Sequence, residues 1–394
     1  MISKEHNLPE KHHKHADLAR PSSGNYNRNE WAIVGAPCEQ IKLLAGQIID
    51  VLSSKYKCAY ADATHNDELN VLPGRLSNGA VFEYTDQINY QQLSYKTDFT
   101  PFKLRQAFAE VDMVLVNGNH EQAKAQVVII DENKKASLQK RVKQLTSIQL
   151  FLLANDTGDV FDFIKEAIPN WQEIPLYRFD ETEKIIAFFE DQMLKVKPVL
   201  NGLVLAGGKS QRMGLDKGAL NWHGKEQRYY TADLLKPFCD EVYISCRVEQ
   251  QSDIDEKYAN LPDTFTGLGP YGAILSAFRE KPDSAWLVIA CDLPLLDETT
   301  LQYLIDNRNT SSVATAFKSG FDSFPEPLIT IWEPKSYPVL LSFLAHGYSC
   351  PRKVLINNDA TILNPPNINA LTNVNTPYEM EQVMLSLDKK MAAQ

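Results

Sequence analysis

From residue 31 onward, short apolar runs alternate with longer stretches whose apolar positions recur every three to four residues. Trp31-Ala-Ile-Val runs into Gly35, and 41–52 follows with helical spacing. Buried strands are expected in the run from Asp112 to Gly118, at 126–130 and at 149–153, while 177–193 reads as mostly helical. The polar stretch 195–198 then looks like a linker, after which the alternation restarts. Strands are expected at 200–205, 242–246, 286–290, 313–317 and 328–332, with helices at 228–238, 273–278, 299–307, 335–345 and 378–387. Strand alternating with helix predicts a parallel sheet covered on both faces, so the expected fold class is α/β with two doubly wound domains.

Length agrees with that division, since 394 residues exceed one ordinary core. The expected limits are a polar tail at 1–29, a first domain at 30–194 and a second at 195–394. His6, His12, His13 and His15 lie in the tail among Lys, Asn, Pro and Ser, a composition that suits a disordered or loosely docked segment and also a metal-binding tract. A net charge of −10 argues against a nucleic-acid surface, though not against a local basic pocket for a nucleotide. The six cysteines are scattered without CxxC spacing, which suits reduced thiols in a cytoplasmic protein. The N-terminal residues lack the apolar core of a signal peptide, and no apolar run approaches the ~18 residues of a membrane span. The expectation is therefore a cytosolic protein without a membrane partner.

The chemistry concentrates after the strand at 200–205, in LAGGKSQRMGLDKG from Leu205 to Gly218. Gly207 and Gly208 lack a Cβ, so the backbone can turn tightly and bring its N–H groups to a phosphate chain. Arg212 suits forked contact with phosphate oxygens, and Lys217 acts as a point charge on the phosphoryl group that reacts. The string is not a Walker A loop, because no Gly-Lys-Ser/Thr follows at the required spacing, and it is not a GxGxxG fingerprint. Asp292 follows the apolar strand 286–290, at the sheet edge where open α/β folds bind ligands. A carboxylate there can hold Mg²⁺ between two phosphates, although an Asp before Leu-Pro also caps helices. Asn373 and Asn375 occupy alternate positions of an extended segment, so their amides would face one way toward a polar ligand; Asn375 before Thr-Pro also reads as a helix start.

The glycine string closely resembles the signature of the molybdenum cofactor guanylyltransferases. LPDTFTGLGPYGAI, AWLVIACDLPLL and LTNVNTPYEME follow in that family's order, so the resemblance extends over about 200–383. It implies a Rossmann-like nucleotidyltransferase fold that moves GMP from GTP to the phosphate of molybdopterin, with Mg²⁺ as cofactor and molybdoenzymes or their chaperones as further partners. It implies that Leu205, Ala206, Gly207 and Gly208 line the nucleotide, that Lys217 meets its phosphates and that Asp263 lies beside it. Asp292 would hold the metal, and Asn373 and Asn375 would face the pterin. Gly269, Pro270 and Gly272 would turn into the next helix, where a bulky side chain would obstruct the pocket. Ser245 replaces an Asn found in many members, which removes one expected contact. Arg352-Lys353 resembles a basic pair of the family; it suits the pterin phosphate and equally a solvated helix start.

The first half looks like a decayed relative of the molybdopterin-guanine dinucleotide adaptor proteins, which bind GTP through a P-loop. The resemblance rests on Ile33-Val-Gly-Ala-Pro, on Asp62-Ala-Thr-His65 and on Val-Leu-Val-Asn-Gly-Asn-His120-Glu121. Gly35 is not followed by Gly-Lys-Thr at the Walker spacing, and Glu39 would repel a phosphate. A scaffold or interaction module is expected, with His65 and His120 as structural histidines. Two other functions stay open for the whole chain. One is a cytidylyltransferase or sugar-phosphate nucleotidyltransferase of the same fold; the other is a non-catalytic carrier of the cofactor.

Overall fold

The computed structural model describes residues 24–63, 72, 74–155, 158–207, 217–374 and 376–391. The first half is built on β1 (Glu30–Val34), β2 (Cys58–Ala61), β5 (Met113–Asn117), β6 (Ala125–Ile130), β7 (Ile148–Leu153) and β8 (Leu176–Arg178). These form one sheet in the order β2-β5-β1-β6-β7-β8, parallel throughout. A separate antiparallel hairpin is formed by β3 (Phe82–Asp86) and β4 (Gln91–Tyr95). The helices are α1 (Cys38–Leu52), α2 (Pro101–Ala107), α3 (Lys135–Lys140), α4 (Asp162–Ala167) and α5 (Thr182–Lys195).

Alternation of side chains along a strand explains the two covered faces. Trp31 and Ile33 join Ile41, Leu44 and Ile48 of α1 and Phe188 and Phe189 of α5 in one core. Val34 and Val128 point the other way, onto Leu138 of α3 and Ile164 of α4. Residues 177–178, expected to be helical, instead form β8 beside β7, and the helix starts only at Thr182. Tyr177 is half-buried against the sheet, so tertiary pairing overrides the local pattern there.

The second half contains β9 (Leu200–Leu205), β10 (Val242–Cys246), β11 (Ala259–Pro262), β12 (Ala285–Ala290), β13 (Ala314–Lys318), β14 (Pro325–Trp332) and β15 (Ala360–Leu363). Its helices are α6 (Gln227–Leu235), α7 (Pro270–Glu280), α8 (Glu298–Asp306), α9 (Ser336–Ala345), α10 (Pro351–Asn357) and α11 (Pro377–Met391). The sheet order is β11-β10-β9-β12-β14-β13-β15. Leu235, Leu301 and Leu304 of α6 and α8 cover one face; Ile274 and Phe278 of α7 with Leu340 of α9 cover the other. This sheet departs from the parallel expectation, because β14 runs antiparallel to both β12 and β13. The fold is thus α/β with helices on both faces of each sheet, and β9 lies between β10 and β12, where strand order reverses.

The two halves dock through charged groups. Lys335 is buried and donates to the Asp112 carboxylate and to the carbonyls of Glu110 and Ser311. Burial pushes its ammonium below the usual lysine range, and Asp112 opposes that shift. Arg28 pairs with Asp283, Lys57 with Asp359 at 2.6 Å, and Ser311 Oγ donates to the Lys55 carbonyl. Inside the second half, Arg308 forks onto Glu333 at 2.6 and 2.9 Å and also donates to the Pro198 carbonyl, fixing the entry to β9. No helix among the described residues is long and apolar enough to cross a membrane.

Candidate functional site

The candidate site lies over the carboxyl ends of β9, β10, β11 and β12. Parallel register places Leu205 beside Ser245 on one side and Ala290 on the other. Each strand therefore delivers its following residues to the same edge. Ala206 donates its N–H to the Ser245 carbonyl at 3.1 Å, which carries the chain from β9 toward Gly207. A Cβ on Gly207 would lie 3.5 Å from Asp263 Oδ2 and from the Arg247 nitrogen, so this glycine passes directly over the end of β10.

Asp263 is positioned by its own backbone, whose N–H donates to the Cys246 carbonyl, and by Ser245, whose Oγ donates to Oδ1 at 2.8 Å. Burial raises its carboxyl above the usual range, while the Ser245 hydrogen bond opposes the rise. The serine thus takes a part of its own at this edge, holding Asp263. At Gly272 a Cβ would fall 2.1 Å from the Phe265 carbonyl oxygen, so its small size lets α7 close against the loop after Asp263.

Asp292 follows β12, whose residues are buried from Ala285 to Ala290. The segment after β12 is tied down by His223 Nε2, which donates to the Pro294 carbonyl at 2.9 Å. From the far end of the chain, Val374 donates its N–H to the Asp292 carbonyl at 2.9 Å. That bond joins the Asn373 element to the strand end. A cavity of about 130 Å³ opens there, and Asp292, Asn373, Glu326, Leu328 and Arg352 are among its walls. Asn373 and Asp292 are thus brought together, as are Leu205, Ala206, Gly207 and Asp263 along the neighbouring strand ends. Gly208, Arg212 and Asn375 lie outside the described residues. So does the side chain of Lys217, whose backbone opens a 3₁₀ turn over Lys217–Ala219.

Sequence reasoning missed Glu326 and Asp322. Arg352 meets Asp322 at 2.8 Å and Glu326 at 3.1 Å, so two carboxylates neutralise it at the cavity wall. Lys353 is exposed, with its ammonium over the Tyr348 ring, so only the arginine of the pair reaches the cavity. The signal for Glu326 was a carboxylate flanked by prolines in an otherwise apolar strand, Phe-Pro-Glu-Pro-Leu.

The donor set suits a hard cation held mainly by its ligand. Among the described residues no three His, Cys, Asp or Glu side chains gather as a metal cage. Mg²⁺ takes one or two carboxylates plus phosphate oxygens and waters, so Asp292 at the strand end fits that demand.

Comparison with known proteins places the second half of the chain in a family. Residues 202–361 match the model of the MobA-like NTP transferase domain. The molybdenum cofactor biosynthesis bifunctional protein of Synechocystis sp. is 35% identical over 185 residues, 47% of this chain and 53% of that one. This chain therefore spans about half the length of that relative. The probable molybdenum cofactor guanylyltransferase of Carboxydothermus hydrogenoformans is 30% identical over 192 residues, 46% of this chain and 93% of that protein. The solved molybdopterin-guanine dinucleotide biosynthesis protein A of Archaeoglobus fulgidus is 21% identical with a TM-score of 0.42, covering 48% of this chain and 99% of that one. Through its C-terminal half, the chain belongs to the MobA-like nucleotidyltransferases, the family of the molybdenum cofactor guanylyltransferases.

Proposed function

We propose that this protein transfers GMP from GTP to the terminal phosphate of molybdopterin, releasing pyrophosphate and forming a guanine dinucleotide. One observation carries the reading: Asp292, Asn373 and Arg352 line a single cavity, at the edge that also receives Ala206 and Gly207 from the neighbouring strand. A nucleotide and an acceptor can meet across such an edge. The names of the relatives support guanine and the pterin.

The acceptor phosphate is itself a competent nucleophile, so the protein needs no side-chain base. Its work is positioning and charge neutralisation. Ala206, Gly207 and Gly208 would cradle the nucleotide, with Asp263 beside it and Leu205 at its base. Arg212 and Lys217 would offset the charge of the five-coordinate phosphorus and of departing pyrophosphate. Asn373 and Asn375 would orient the pterin. Asp292 would hold Mg²⁺, which when bound supplies positive charge to the phosphates. We place the domain limits at 30–194 and 195–394, and assign the first domain a scaffolding role without tight GTP binding.

The full chain should be assayed with GTP, CTP, ATP and UTP, each against molybdopterin, with the dinucleotide product identified by mass. A product with GTP alone is expected. A cytidine product would move the chain to the cytidylyltransferases, and molybdopterin binding without pyrophosphate release under any nucleotide would make it a carrier.

A further inference from the structure

The loop between β1 and α1 in the first half holds a second chemical constellation. Gly35 turns the chain out of β1 at φ 95°, and Cys38 becomes the first residue of the 15-residue helix α1. His120, after β5, places Nε2 3.2 Å from Cys38 Sγ. Asp62, after β2, lies 3.9 Å from the same nitrogen through Oδ1. Asn119 Nδ2 donates to the Ala36 carbonyl at 2.8 Å and sits 3.6 Å from the sulfur. Parallel strands β1, β2 and β5 thus bring a thiol, an imidazole and a carboxylate to one sheet edge, from three separate stretches of sequence.

Two further observations bear on the site. Asn117 is fully buried, and its side-chain amide bears on both the Asp62 carboxylate and the Tyr60 hydroxyl, which ties the Asp62 segment to β5. The thiol itself is only half-buried, so a small molecule can reach it. This is not a nucleophile–base–carboxylate relay, because sulfur and carboxylate address the same ring nitrogen. A proton taken from sulfur onto that nitrogen would instead lie between the sulfur and the Asp62 carboxylate. Among the described residues no group of three or more His, Cys, Asp or Glu side chains gathers as a metal cage; the contact of sulfur with imidazole is the arrangement of an activated thiol.

We propose that Cys38, with His120 as its proton acceptor, is a thiol-modification site for small disulfides. His120 accepts the thiol proton as Cys38 Sγ attacks one sulfur of the disulfide. The new S–S bond forms as the old one breaks, and the departing thiolate takes the proton from His120. Cys38 is oxidised to a mixed disulfide and half of the reagent is reduced to thiol, so the step needs no other oxidant. Among the described residues, the titratable groups around the thiol and its imidazole partner are Lys42 on α1, with Glu39 paired to it, Tyr60 on β2, Asp62 after it and His120 after β5.

The test uses the reduced full chain and an aromatic disulfide reagent, with the labelled cysteine peptides followed by mass. At pH 7, Cys38 should react about tenfold faster than Cys350, although Cys350 is the more exposed thiol. His120→Gln should slow Cys38 about tenfold and leave Cys350 unchanged. That gap should narrow at pH 9, where bulk base removes thiol protons unaided. Cys38 reacting no faster than Cys350 in the unaltered protein overturns the proposal, and so does an unchanged Cys38 rate in a folded His120→Gln variant. If that variant does not fold, the comparison of the two thiols in the unaltered protein decides alone.

Discussion

At the scale of single residues, the two ends of the cavity should separate kinetically. In the proposed reaction Asp292 would stand where phosphate charge develops, so Asp292→Ala should lower kcat by two orders of magnitude or more, roughly the ~3 kcal/mol lost with one preorganised contact. Asn373 reaches the same cavity from the far end of the chain, and in the proposed reaction it would act through a neutral amide. Asn373→Ala should mainly raise the KM for molybdopterin, at a cost of about 1–2 kcal/mol. Steady-state kinetics with each substrate varied would decide, and weakened GTP binding alone in Asn373→Ala would reverse the assignment. His223 supplies a pH signature. Its ring stacks on Tyr230 at 3.8 Å, and burial pushes its imidazole below the usual range against the Pro294 hydrogen bond. The unfolded chain then takes up a proton that the folded chain resists. Stability is retained above the ordinary imidazole value and falls as pH drops from there through the folded value. The urea midpoint of His223→Gln should therefore decline less between pH 7 and pH 5 than that of the unaltered protein; parallel curves would exclude His223 as the cause.

At the scale of elements, α7 shows how a helix sets the site from behind. It begins after Gly269 at φ 57°, with Pro270 at its first position, and Gly272 lies against the Phe265 carbonyl. A methyl group at 272 would meet backbone rather than a yielding side chain, so the helix or the loop after Asp263 must move. Gly272→Ala should cost about 1–3 kcal/mol by overpacking and raise the KM for GTP. Urea melts and nucleotide kinetics on the same preparation would check it, and unaltered values in both would show that the loop yields freely. Elements were legible in proportion to their burial. β5, β6 and β12 are apolar at nearly every position because both faces are covered, and their runs stand out in the sequence. The β3–β4 hairpin escaped because its strands are largely exposed and carry no apolar run.

At the scale of the whole molecule, the Lys335–Asp112 pair links the two halves in a buried setting. Removing one partner leaves an uncompensated charge away from water, so Lys335→Ala should destabilise the protein by about 3–5 kcal/mol. Adding Asp112→Ala should restore part of that loss, since the stranded carboxylate is then gone. Strictly additive losses in urea melts of the two single variants and the double variant would show that the pair does not couple the halves.

The sequence by itself determined the two α/β halves, the glycine string after β9 and the carboxylate after β12. Each of those is a local pattern, a period of apolar residues or a residue type beside a strand end, and local patterns survive in one dimension. Only the tertiary structure decided that β14 runs antiparallel, that Ser245 holds Asp263, that carboxylates at 322 and 326 cover Arg352, and that Cys38 meets His120. Those pairings join residues 18 to 82 positions apart in the chain. Strand order and register brought them together, and neither is written in the spacing of any single segment.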